Sequence, residues 1–313
     1  MVPQRALGRS GLKVAPVIFG ANVFGWTVDQ PAAIRLLDRF VDGGLNGIDT
    51  ADIYSRWVPG NQGGESEAMI GNWLKASPSK RDKIVLITKV GMAAGGLSSK
   101  AIAAGAEASL RRLQTDRIDL YLSHQPDPDT PIEETLRAYD SLIKAGKVRA
   151  IGASNSTASG LKEALETSRV KHLPRYEVEQ PEYSLVERKR YEGAVRDLCI
   201  AEGLGAIVYY PLASGFLSGK YRSKDDLKGR ARAGGVEKHM TERGFRILDA
   251  LAVVAHAHGA TPAEVALAWL IAREGVTAPI ASATSEEQVD SLVNAAKLKL
   301  TAEELRALTA ASD

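Results

Sequence analysis

Cysteine is nearly absent from this chain. A single residue, Cys199, excludes an internal disulfide and fits a reducing, cytoplasmic compartment. It lies in an apolar helical pattern, where a free thiol reads as inert packing. An excess of one charge is missing as well. Forty basic residues against 38 acidic ones leave a formal net charge of +2, which gives no argument for nucleic acid or a membrane surface as partner. No apolar run approaches the ~18 residues of a membrane-spanning helix. The N-terminus lacks the apolar centre of a signal peptide. Neither low-complexity sequence nor a linker interrupts the 313 residues, so the chain reads as one domain, 1–313.

Several catalytic signatures are also lacking. No G-x-G-x-x-G follows the first strand, so an open-sheet dinucleotide fold has no fingerprint here. Gly203-Leu204-Gly205 precedes a strand and reads as a turn. Gly215 to Tyr221 resembles a phosphate loop, but it is one residue short and ends in Tyr instead of Ser or Thr. His256 and His258 are two apart on a helix and diverge. His172 and His239 have no carboxylate or thiol at ligand spacing, so no metal site is expected. There is no G-x-S-x-G elbow.

What is present is alternation. Ala6-Leu7-Gly8 and Leu12-Lys13-Val14 around Arg9-Ser10-Gly11 predict a small hairpin. Strand patterns then alternate with helical ones. The strands are Val17 to Gly20, Leu45 to Asp49, Ile84 to Lys89, Ile118 to Leu122, Arg149 to Gly152, Tyr176 to Glu179, Ala206 to Tyr210 and Thr277 to Ile280. Helical spacing appears at Ile34/Leu37/Val41, Ser66 to Lys75, Ile102 to Leu113, Leu136 to Ile143, Leu161 to Leu165, Tyr191 to Ala201, Ile247 to Ala257, Ala263 to Ala272, Glu286 to Ala296 and Ala302 to Leu308. Parallel neighbours need crossovers, so eight such units in this length predict a closed (β/α)8 TIM barrel with an N-terminal hairpin and an extra C-terminal helix. The competing arrangement is an open doubly wound sheet. Only Ala213 to Glu237 is long and irregular, and loops of that length are usually functional.

In a barrel, Asp49, Lys89 and His124 share one rim, because each follows the end of a strand, and active sites are built there. Tyr54 lies just beyond Asp49, across a polar turn. A free tyrosine, with a pKa of about 10, is a poor donor at neutral pH, and a nearby ammonium favours the phenolate. A ~2-unit lowering corresponds to roughly 2.7 kcal/mol. Lys89 is the ammonium, Asp49 its carboxylate partner, and His124 a group that orients a substrate oxygen. Each residue alone has a structural explanation, a buried ion pair or a rim aromatic. Together they suit a general acid that protonates an oxygen as negative charge develops on it.

These residues carry a family resemblance. Gly44 to Tyr54, Ile87-Thr88-Lys89-Val90, Leu120 to His124, Ile151 to Asn155, Glu179 to Ser184 and Tyr210 to Lys220 together resemble the aldo-keto reductases, from the hairpin to near the C-terminus. The resemblance implies a barrel that reduces aldehydes or ketones with NADPH, with NADH as the alternative cofactor. It implies Tyr54 as proton donor, assisted by Lys89 and Asp49, with His124 aligning the carbonyl. Ser154, Asn155 and Gln180 would hold the nicotinamide carboxamide, and Tyr210 would stack on the ring. Gly20, Pro211, Leu212, Gly215, Leu217 and Lys220 would lie along the rest of the cofactor, and Ser282, Thr284 and Gln288 at its adenosine end. Many members carry an arginine where this chain has Thr284 and an asparagine where it has Leu292. A ribose phosphate would then need hydroxyls or a loop cation, Arg230 or Arg232. Asn22, Val23, Phe24, Gly25 and Trp26 after the first strand, Trp57 after the tyrosine and Met92 after the lysine strand would line the substrate pocket. Trp57 also reads as a plain loop anchor. Relatives of this kind also serve as auxiliary subunits of ion channels, so a cofactor-binding module with little turnover is the second expectation.

Overall fold

A closed barrel needs a floor, and the first elements provide it. The structure, a computed structural model, describes residues 2–93 and 95–313. Strands β1 (Arg5–Ala6) and β2 (Lys13–Val14) pair antiparallel, Arg5 opposite Val14. The turn between them closes because Gly8 and Gly11 take left-handed φ values of 58° and 77°. The Ser10 hydroxyl donates to the Leu7 carbonyl and accepts from the Leu12 amide.

The alternating units follow in order: β3 (Ile18–Gly20), α1 (Gln30–Asp42), β4 (Gly47–Asp49), α2 (Glu65–Ala76), β5 (Val85–Val90), α3 (Ser99–Leu113), β6 (Ile118–Ser123), α4 (Ile132–Lys144), β7 (Val148–Ser154), α5 (Ala158–Lys171), β8 (Tyr176–Gln180), α6 (Ala194–Glu202) and β9 (Gly205–Val208). Then come α7 (Ala233–Glu237), α8 (Glu242–His258), α9 (Pro262–Ile271), β10 (Ala278–Ala281), α10 (Glu286–Ala295) and α11 (Ala302–Ala311). Strands β3 to β10 form one closed parallel barrel, with β10 pairing to both β3 and β9. Side-chain caps start the helices where the chain offers Asp, Ser or Thr: Asp29, Ser98, Thr157, Thr241, Thr261, Ser285 and Thr301 each accept from an amide three residues on.

Two corrections concern the chain between β8 and α8. Helix α6 begins at Ala194, not Tyr191, because Gly193 breaks the pattern at φ 89° and leaves Tyr191 packed in the core. The stretch Ala213 to Glu237 is not irregular: it holds two 3-10 turns, Ala213–Ser218 and Lys224–Leu227, and then α7. Cys199 is buried in the core, as its apolar setting predicts.

Strand residues alternate between two cores. Phe19, Ile48, Leu86, Tyr121, Ile151 and Val208 face the helices in one cluster. Ile18, Ile87, Leu122, Val178, Ile207 and Ile280 fill the barrel interior, together with Leu7, Leu12 and Val14 of the hairpin. The hairpin therefore seals the N-terminal end of the barrel. The period of two carries a further consequence. One inward step beyond the interior residues lie Lys89 after Ile87, His124 after Leu122, Gln180 after Val178, Tyr209 after Ile207 and Ser282 after Ile280. The interior is apolar below and polar at the C-terminal rim.

Leu7 is fully buried at the centre of this floor. Replacing it with alanine should lower unfolding free energy by about 2–5 kcal/mol, as large-to-small changes in packed cores do. Urea denaturation followed by circular dichroism measures this.

Candidate active site

Strand β5 ends with a lysine facing inward. Lys89 is fully buried, and its Nζ donates to three acceptors: Asp49 Oδ2 at 2.7 Å, the Thr50 carbonyl at 2.7 Å and Tyr54 Oη at 3.0 Å. The ammonium also lies 4.8 Å from the Tyr54 ring centre. Asp49 closes the set from β4, and its other oxygen accepts from Gln180 Nε2 at 2.9 Å. Burial lowers the Lys89 pKa and raises that of Asp49, and their mutual attraction opposes both shifts. With three acceptors arranged around one nitrogen, the proton stays on the lysine.

Tyr54 differs from expectation. Its hydroxyl is pushed well above the usual tyrosine range, first by burial and then by the charge of Asp49, and the lysine does not reverse this. The resting hydroxyl therefore carries its proton throughout the physiological range, the form a proton donor needs. The turn that presents it is fixed from behind, where the Ser55 hydroxyl donates to the Phe24 carbonyl at 2.6 Å. His124 follows β6, and its ring centre stands 6.0 Å from that of Tyr54. Burial, then the Lys89 charge, holds its pKa down at about 3, so the imidazole is neutral and offers one N–H.

The amide group of residues is also assembled. The Ser154 hydroxyl donates to the Gln180 carbonyl at 2.8 Å. Asn155, in a left-handed conformation at φ 59°, donates to the His124 carbonyl and accepts from the Tyr209 hydroxyl at 2.7 Å. Glu179 fixes this loop from the helix side: fully buried, it accepts from both the amide and the hydroxyl of Ser156. Burial pushes its pKa up to about 7. The inward aromatic after β9 is Tyr209. Tyr210 leaves the strand at φ 53° and is 50% exposed. Counting in twos from Ile207 would have selected Tyr209 from the sequence.

Other expected positions divide. Trp26 and Trp57 meet edge to face at 5.8 Å, and Trp57 reaches the Tyr54 ring at 6.2 Å, so Trp57 borders the acid and Trp26 packs on Trp57. Phe24 does not: it is fully buried against Phe19 in the helix-side core and cannot line a pocket. Met92 lines a different rim cavity of about 400 Å³ with Leu97, Gln125 and Asp127. Asn22 accepts from the Ser282 hydroxyl at 2.7 Å, which ties a residue expected in the pocket to one expected at the cofactor. Gly20 has a packing reason, since a Cβ there would meet Ser282 Oγ at 3.0 Å. Thr284 donates both its amide and its hydroxyl to Gln288.

Pro211 is buried and Leu212 partly buried, and the Leu212 carbonyl accepts from the Gly215 and Leu217 amides. The Leu217 side chain is buried in the core, which leaves only its backbone for a ligand. The Lys220 ammonium sits 5.0 Å from the Tyr221 ring centre. Arg230 is exposed, whereas the Arg232 guanidinium sits 5.4 Å from the Trp26 ring centre. Its Nη2 is buried with no hydrogen-bond partner among the described residues. A desolvated guanidinium nitrogen without an acceptor fits a bound anion, so the cleft suits a cofactor that carries phosphates.

The sequence profile of the aldo/keto reductase family matches residues 16–313. A Bacillus subtilis protein described as the uncharacterized oxidoreductase YrpG is 35% identical over 96% of this chain and 93% of its own. A Schizosaccharomyces pombe protein provisionally named a voltage-gated potassium channel subunit beta is 34% identical over 97% of this chain and 92% of its own. An Arabidopsis thaliana protein with a name of the same kind is 35% identical over 92% and 89%.

Removing one member of a buried pair leaves the other charged and unpartnered. Lys89→Met should therefore lower stability by about 3–5 kcal/mol, and Asp49→Asn in the same chain should recover part of the loss. Chemical denaturation of the single and double variants tests this.

Proposed function

The chain belongs to the aldo/keto reductase family, and we propose that it is an NADPH-dependent oxidoreductase that reduces aldehydes or ketones to alcohols. One observation carries the proposal: a buried ammonium bonded at once to a carboxylate and to the hydroxyl of Tyr54, beside a neutral imidazole. A reactive carbonyl oxygen fits where Tyr54 Oη and His124 can both donate to it. The bound nicotinamide supplies the hydride. As charge develops on the oxygen, Tyr54 transfers its proton there, and Lys89 stabilises the phenolate left behind. Asp49 keeps the lysine charged and fixes its direction, and its bond to Gln180 links that charge to the amide-reading group. Trp57, with Trp26 set edge to face against it, gives the acid an apolar neighbour suited to aromatic or extended carbonyl compounds.

On the cofactor side, Ser154, Asn155 and Gln180 present the side chains that read a carboxamide edge. The aromatic stack expected of Tyr210 is assigned to Tyr209, which faces inward and bonds Asn155. The guanidinium of Arg232, with Ser282, Thr284 and Gln288 on the adenosine side, supports NADPH over NADH. Among the described residues, no helix is long and apolar enough to cross a membrane, and with one cysteine in the chain we place the protein in the cytoplasm. The relatives named as channel subunits favour a second reading, a cofactor-binding auxiliary subunit with little turnover.

Loss of reduced-nicotinamide absorbance with a panel of aldehydes separates the two. Turnover faster with NADPH than with NADH is the expected result, and tight cofactor binding without turnover of any carbonyl compound would favour the auxiliary role. Tyr54→Phe should keep cofactor affinity while kcat falls by about 10²–10⁴, the range of general-acid catalysis. Equal rates in that variant would sink the proposed acid.

A further inference from the structure

Asp52 lies two residues before Tyr54, in the same turn, and the chemistry above does not use it. It is 4% exposed, and among the described residues only the adjacent Ile53 amide approaches its carboxylate, without the geometry of a full hydrogen bond. The charged and titratable groups that face it come from five elements: Glu67 on α2, Arg112 on α3, Lys89 on β5, Tyr121 on β6 and Tyr139 on α4. The two cations are already engaged. Arg112 is bonded through both Nε and Nη2 to Glu67 Oε2, while Glu67 Oε1 accepts from the Thr88 hydroxyl at 2.6 Å. Lys89 directs its three bonds to Asp49, the Thr50 carbonyl and Tyr54. The Tyr121 hydroxyl is buried and has no partner among the described residues either. A buried carboxylate without a full hydrogen bond, beside a second carboxylate that holds the arginine, is costly to ionise.

We propose that Asp52 is a positioning residue of the proton-donating site: it works as a neutral carboxylic acid, and its ionisation places a second negative charge beside Lys89 that weakens Tyr54 as a proton donor. This rests on the reductase reading of the same site. The step is a simple ionisation, with the proton passing to solvent and no bond of the substrate involved. Burial first, and then the charge of Glu67, raises the Asp52 pKa to about 7, so the change falls near neutrality. His124, held down at about 3, is neutral across that range and does not contribute. Glu179 titrates at about 7 too, but it faces Ser156 and serves as the control.

The test compares wild type, Asp52→Asn and Glu179→Gln. The amide imitates the neutral acid at every pH. In wild type, kcat for reduction should fall by about threefold to tenfold between about pH 6 and about pH 9, and the asparagine variant should lack this fall and exceed wild type at the upper end. A merely structural role would not make a variant faster. Retention of the inflection in Asp52→Asn, its loss in Glu179→Gln instead, or a uniform loss of rate at every pH overturns the proposal. Infrared spectroscopy of the resting protein is independent of turnover. It should show protonated carboxyl absorption that falls as pH rises through about 7, of which Asp52→Asn removes one component and Glu179→Gln another, and wild-type absorption at acidic pH that Asp52→Asn leaves undiminished also overturns the proposal. If no carbonyl compound is turned over, the reductase reading fails by itself. Coupling to the lysine is then read from a denaturation cycle with Lys89→Met, where interaction at alkaline pH but not at acidic pH supports the proposal and a pH-independent cycle overturns it.

Discussion

The buried bond between Lys89 and Asp49 is the constraint from which the rest of the site follows. Two charges removed from water are tolerated only when each finds enough partners, and here the partners are distributed over the barrel. The carboxylate comes from β4, the ammonium from β5, and the amide that satisfies the second carboxylate oxygen from the end of β8. These residues converge only if the sheet closes, so the closed parallel barrel and the charged rim depend on each other. The same bond places Tyr54, because the lysine's third donor points at the phenolic oxygen. A surface ion pair would be free to drift, whereas this one cannot move without leaving a charge unpartnered.

Much of this was legible in the chain. Asp49, Lys89 and His124 stand out because each follows a short apolar run, and an acid or lysine at such a place needs a reason. The eight strand patterns and their order came through for a similar physical cause: most of the strands are covered on both faces and read as short apolar runs. What was not legible depends on neighbours distant in sequence. Phe24 looked like a rim residue by its place after β3, but packing against Phe19 takes it into the helix-side core. Leu217 looked like a ligand contact, but only its backbone is free of the core. The expected lowering of Tyr54 by its lysine ignored the opposing charge of Asp49 and the burial of the hydroxyl itself. Tyr209 and Tyr210 are adjacent, and only the inward series of the strand separates them. Arg230 and Arg232 presented a similar choice from the sequence, and the structure shows Arg230 exposed and Arg232, at the N-cap of α7, beside Trp26.

The family relation and the chemistry carry different weight. Membership follows from a match over nearly the whole chain, yet the relatives include proteins with names as different as oxidoreductase and channel subunit. A barrel can serve both, because what it conveys is a rim where side chains from eight strands meet. The burial of the lysine, the depressed pKa of His124 and the Arg232 nitrogen without a partner among the described residues are local features, and these support the proposed chemistry at that rim.

The hairpin at the opposite end has a kinetic meaning. With Leu7, Leu12 and Val14 packed into the floor, the barrel is a blind well, and everything that enters or leaves must use one opening. On the proposed reading, a cofactor whose amide reached Gln180 would lie deep in that well, with a carbonyl compound between Trp57 and Tyr54 above it. The two cannot exchange places through a back door. Whatever sits deepest in such a well must enter first and leave last.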